Sequence, residues 1–88
     1  MQLKYTFEVT KLDDYTIAVP VGNNIDGYAG VIRLNETAAF ILDLLKEETS
    51  EEAVVEAMEK EYDAPRAILE SEVKRFIKDF AEKGMLLQ

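Results

Sequence analysis

The side chains able to do chemistry are carboxylates, and their partners in catalysis are missing. Glu47, Glu48, Glu51 and Glu52 crowd one short segment, and paired carboxylates do acid–base work only where burial or a neighbour displaces one pKa. Spread over a polar helix face, these four read as solvated. The chain holds no His and no Cys. That removes the commonest general base, the commonest metal ligand and the best nucleophile, together with any disulfide frame. Asp13, Asp14 and Asp26 lie in turn-forming stretches without the spacing of a calcium loop, so no metal site is expected. Gly22, Gly27, Gly30 and Gly84 match neither a dinucleotide fingerprint nor a phosphate loop, and no cofactor is implied. The residues point away from catalysis and toward binding.

Charge narrows the choice of partner. The net charge is −8, and residues 47–63 carry eight acids against Lys60 alone, while residues 64–88 carry five bases and four acids. Phosphate neutralisation needs clustered Lys and Arg, so nucleic acid is not expected as a partner. The acidic run reads as a solvated face or as a dock for a basic protein surface. No stretch has the length and apolarity of a signal sequence or a spanning helix, which predicts a cytoplasmic protein without membrane attachment.

The elements that must position a binding site follow from periodicity. Leu3–Lys11 alternates apolar with polar residues for most of its length, the mark of a half-buried strand. Asp13-Asp14 makes a turn, Tyr15–Val21 forms a second strand with Pro20 near its end, and residues 22–27 form a loop rich in turn formers. Tyr28–Leu34 completes an antiparallel meander. Asn35 caps a helix whose Ala38, Ile41, Leu42 and Leu45 share one face, ending near Glu47. Thr49 with Glu52 matches a capping box for a second helix, running to Tyr62. Asp63 is the expected cap of a third helix, with Leu69, Val73, Phe76 and Phe80 as its apolar stripe, Ile77 widening it, and Gly84 as its stop. The expected class is α+β: one domain over residues 1–88, with an N-terminal three-stranded antiparallel sheet followed by three helices.

Two places suit a guest chain. A meander has edges, and an uncovered edge offers unpaired N–H and C=O groups to an added strand. Ala29 and Gly30 in the third strand are small enough for a close approach, so Ala29, Gly30, Val31, Ile32 and Arg33 are the candidate strand contacts. Ile32→Pro is expected to remove the donor on which such pairing depends. On the third helix, Val73, Lys74, Ile77 and Lys78 set cations at the border of the apolar stripe, which suits a peptide with both hydrophobic and acidic residues.

The segment Arg33–Leu45 (RLNETAAFILDLL), the helix opening Thr49–Ala53, Tyr62, and Val73–Leu86 with its glycine–apolar ending resemble the PqqD family, also called RiPP recognition elements. Ile41 and Leu42 stand where many members carry a Trp, a swap that a core tolerates. The resemblance implies a non-catalytic, winged-helix-like domain that binds the leader of a ribosomally made precursor peptide. It also implies presentation of that peptide to a modifying enzyme, often a radical SAM protein. In such domains the leader adds beside the third strand and lies against the third helix. Two other readings stand beside it: a winged-helix transcription regulator, and an acidic protein-interaction module. Open strand edges also permit a homodimer.

Overall fold

The computed structural model describes residues 1–21 and 31–87. Its elements run β1 (Gln2–Leu3), β2 (Thr6–Lys11), β3 (Thr16–Val21), β4 (Ile32–Leu34), α1 (Glu36–Leu44), α2 (Glu51–Glu61), α3 (Arg66–Glu82) and β5 (Leu86–Leu87). An antiparallel sheet of order β2-β3-β4 precedes three helices, the α+β arrangement that the periodicity predicts. The helices cover one sheet face, onto which Phe7, Ala18, Ile32 and Leu34 turn their buried side chains. These join Ile41, Leu42, Leu45, Val54, Met58, Leu69, Val73, Phe80 and Met85 in one hydrophobic cluster.

The expected first strand divides in two. The Leu3 N–H donates to the Leu45 carbonyl at 2.9 Å and the Lys4 N–H to the Met85 carbonyl at 2.7 Å. The chain is thus committed to the α1–α2 junction and to β5 before it turns into β2. β1 and β5 pair antiparallel, Gln2 opposite Leu87 and Leu3 opposite Leu86, in a second small sheet that the periodicity does not disclose. The Met1 amine adds a bond to the Thr49 carbonyl at 2.8 Å and a salt bridge to Glu48.

Two caps differ from expectation. Asn35 caps α1 as predicted, its side chain accepting from the Ala38 N–H at 2.8 Å. At α2 the cap is Ser50, accepting from the Ala53 N–H at 3.1 Å, and not Thr49, whose N–H is spent on the Met1 carbonyl at 3.0 Å. The capping box therefore does not form in the predicted register. At α3 the cap position belongs to Pro65, which has no side-chain acceptor, so Asp63 does not play that part. α1 also ends at Leu44, earlier than expected.

The stop at Gly84 is as predicted. Its φ of +72° is left-handed, a region that costs other L-residues, and the bonds around it form a Schellman motif. The Gly84 N–H reaches the Ala81 carbonyl at 3.0 Å and the Met85 N–H reaches the Phe80 carbonyl at 2.9 Å. Met85 and Phe80, both buried, supply the apolar contact that accompanies such a cap.

Candidate functional site: a groove beside an open strand

The direction of each backbone group in β4 follows from the sheet register. In an antiparallel pair, residues that exchange backbone hydrogen bonds alternate with residues that do not. The Leu12 N–H donates to the Tyr15 carbonyl at 2.8 Å, which fixes Leu12–Tyr15 as a bonded pair. Counting along the uninterrupted β2–β3 register makes Thr10–Ile17 and Glu8–Val19 bonded, and Phe7–Pro20 not bonded. Pro20, with no N–H, thus sits where the β2–β3 ladder asks nothing of it. The other set of β3 residues, Thr16 and Ala18, points its backbone at β4. Their partners Leu34 and Ile32 are the bonded ones, and Arg33, opposite Ile17, is not.

The N–H and C=O of Arg33 therefore face away from β3, toward the flank where no strand pairs with β4 among the described residues. This alters the expectation for Ile32. Its donor is turned inward to Ala18, so Ile32→Pro breaks the sheet itself, and the outward donor is that of Arg33.

A groove of about 460 Å³ runs along this flank. Val31–Asn35 make one wall and Ala38 and Ile41 of α1 contribute to its floor. The opposite wall is α3, presenting Glu72, Arg75, Phe76, Asp79, Phe80 and Lys83. Phe76 and Phe80 stack with centroids 4.2 Å apart, and Phe7 of β2 tilts against Phe80 at 6.2 Å. The floor is consequently rigid and apolar. Its charged rim is paired along the helix: Lys83 to Asp79 at 2.6 Å and Arg75 to Glu72 at 3.8 Å. The Arg33 guanidinium lies over the Tyr15 ring, 3.9 Å from its centroid, a cation–π contact on the outer sheet face.

Val31, Ile32 and Arg33 thus border the groove, whereas Ala29 and Gly30 lie outside the described residues. The structure turns the candidate helix residues elsewhere. Val73 is fully buried, and Ile77 is half-buried against the core. Lys74 lies on the α2 side of α3, in a hollow shared with Glu51, Glu52, Val55, Arg66 and Glu70. Lys78 is exposed and borders no groove beside β4. The groove face is the other flank of the same stripe, that of Glu72, Arg75, Asp79 and Lys83, which the sequence reading passed over. A helical wheel shows both flanks equally well; what selects between them is α2, whose Val54, Val55 and Met58 join Leu69 and Val73 of α3 in the core, with Arg66 paired to Glu59 at 2.6 Å on the outside.

Among the described residues no group of His, Cys, Asp or Glu is placed to hold a metal ion, and no helix is long and apolar enough to cross a membrane. Tyr62 has a displaced pKa. Burial, then the charges of Glu36 and Glu61, push its hydroxyl above the usual 10.0, and its ring meets Phe40 edge-on at 5.5 Å, away from the groove.

Comparison with known proteins gives a consistent picture. No curated protein matches the chain significantly. A solved structure of TbiB1 in complex with the TbiA(beta) leader peptide superposes with a TM-score of 0.73 at 23% sequence identity, covering 98% of this chain and 94% of that one. The family model for coenzyme PQQ synthesis protein D (PqqD) matches residues 24–86. With well over half of its length so matched, the chain belongs to the PqqD family.

Proposed function

We propose that this protein is a non-catalytic peptide-binding module, a single domain over residues 1–88, that captures the leader segment of a ribosomally made precursor peptide. The leader adds as a strand on the free flank of β4, and its inward side chains enter the groove against α3. The observation that carries this reading is the pairing of two complementary parts at one place. An outward-facing backbone donor and acceptor at Arg33 border an apolar floor of Phe76, Phe80, Ile41 and Ala38. Main-chain bonds supply affinity there, and the floor supplies selectivity. The structure of TbiB1 with a leader peptide shares the fold and supports the same reading.

The bound peptide is presented to a modifying enzyme, a radical SAM protein in this proposal, within the cytoplasm where the precursor is made. The flank of β2 opposite β3 is a second open edge among the described residues, and a homodimer formed there would leave the groove free.

Amide hydrogen exchange tests the site. Synthetic peptides of about twenty residues with leader-like alternation of apolar and acidic residues are titrated into the labelled protein. Binding is expected to protect the Arg33 amide, while those of Ile32 and Leu34 are protected from the outset by β3. Saturable binding that leaves Arg33 exchanging freely removes strand addition at β4.

A further inference from the structure

We infer that the groove selects a guest carrying two carboxylates four residues apart on either side of an apolar side chain, the pattern acid-x-apolar-x-acid. The inference rests on the reading of the groove as a receiver of an added strand, and it concerns the chemistry of that strand.

Along the groove wall of α3 the charges alternate in sign: Glu72, Arg75, Asp79, Lys83. Each carboxylate already has a cation on its own helix, Glu72 with Arg75 and Asp79 with Lys83. The cations are not used up in return. Arg75 is 74% exposed and touches Glu72 only at 3.8 Å, too long for a hydrogen bond, so its five N–H donors remain available. Lys83 spends one of three donors on Asp79. The Arg33 guanidinium, on the outer sheet face over Tyr15, adds no charge to the groove, to which Arg33 contributes its backbone. The groove thus holds two cations with donors to spare beside two carboxylates that each already face a cation, in a chain whose net charge is −8. An incoming cation finds both carboxylates already engaged and two cations beside them, whereas an incoming carboxylate finds open donors.

Spacing turns this preference into a pattern. Arg75 and Lys83 stand eight residues apart on one helix, about 12 Å at 1.5 Å per residue. An extended guest advances about 3.3 Å per residue, so four residues cover roughly 13 Å. Four is an even number, and both carboxylates fall on the same face of the guest. The residue midway between them shares that face and meets Phe76 and Phe80, which lie between the two cations along the helix.

The test is selection of 13-residue random peptides displayed on phage against the immobilised protein, with Arg75→Glu and Arg33→Pro variants selected in parallel. Arg75 is exposed, so its reversal leaves the fold intact, which circular dichroism checks. Wild type is expected to enrich acid-x-apolar-x-acid, and Arg75→Glu to replace one of the two acids by a cation. In the enriched peptides each Glu→Gln change weakens binding by about two- to fivefold, as for a solvent-accessible ion pair, and the loss shrinks with added salt. Enrichment of apolar alternation without charge, or of cations, overturns the charge rule and leaves the groove as a peptide site. Enrichment no greater than on Arg33→Pro removes the strand-receiving groove, and the charge rule with it.

Discussion

Replacing Arg33 by proline separates guest pairing from host folding, because the sheet register turns its N–H away from β3. Proline at a free edge removes no ladder bond of the host, and the preceding Ile32 already has the extended backbone that a following proline requires. For a guest strand the same change deletes one donor and leaves a guest carbonyl against a pyrrolidine ring. A hydrogen bond lost with its partner left unsatisfied costs about 1–3 kcal/mol, or roughly a 5- to 150-fold rise in Kd. Ile32→Pro is the contrasting change. Ile32 is buried and bonded to Ala18, so the substitution loses a ladder bond and core packing together, about 3–5 kcal/mol. Against a total of roughly 4–13 kcal/mol for a chain of this size, that is enough to unfold much of the population. Arg33→Ala controls for the side chain, since it keeps the N–H and loses only the contact with Tyr15, about 0.5–1 kcal/mol. Peptide binding is read by fluorescence anisotropy and folding by thermal melts. The expected outcome is an Arg33→Pro protein that melts near wild type and binds much more weakly than Arg33→Ala. If the two Arg33 variants bind alike, the assignment of the outward donor is wrong.

Two further outcomes follow from the elements around the groove. Gly84→Ala puts a Cβ into open space but forces an L-residue to φ +72°, and should cost about 1–2 kcal/mol, seen calorimetrically as a fall in Tm of roughly 5 °C or more; an unchanged Tm would show that the cap relaxes freely. The folded protein holds the Tyr62 proton more tightly than the unfolded chain does, so below pH 10 both states are protonated and stability is unaffected. As pH rises past 10 the unfolded chain ionises first and stability falls; urea titrations should show this loss in wild type and its reduction in Tyr62→Phe, and equal alkaline losses would contradict it.

How much of this was legible in the residues depends on how local the cause is. Asn35, Gly84 and the apolar repeat of α3 act within a turn or two of themselves, and each does what its type and position imply. Thr49 and Ser50 are equally good caps on paper. The choice between them is made by the N-terminus, because Met1 takes the Thr49 backbone and sets where α2 begins. The groove face of α3 escaped for a similar reason. Both flanks of its stripe carry a cation, Lys74 and Lys78 on one and Arg75 on the other, and only the placement of α2 decides which is covered. The apolar floor was legible as core residues, though not as the bottom of an opening, since Phe76 and Phe80 read the same in either role.

The pairing of β1 with β5 joins residues more than eighty positions apart, Gln2 to Leu87 and Leu3 to Leu86. Contacts of such sequence separation close a loop of more than eighty residues, and the entropy of closing it makes them late to form. Leu3 can meet the Leu45 carbonyl as soon as α1 is made, but its strand partner Leu86 comes more than eighty residues later, so the seam beside β1 stays unplugged until β5 is in place.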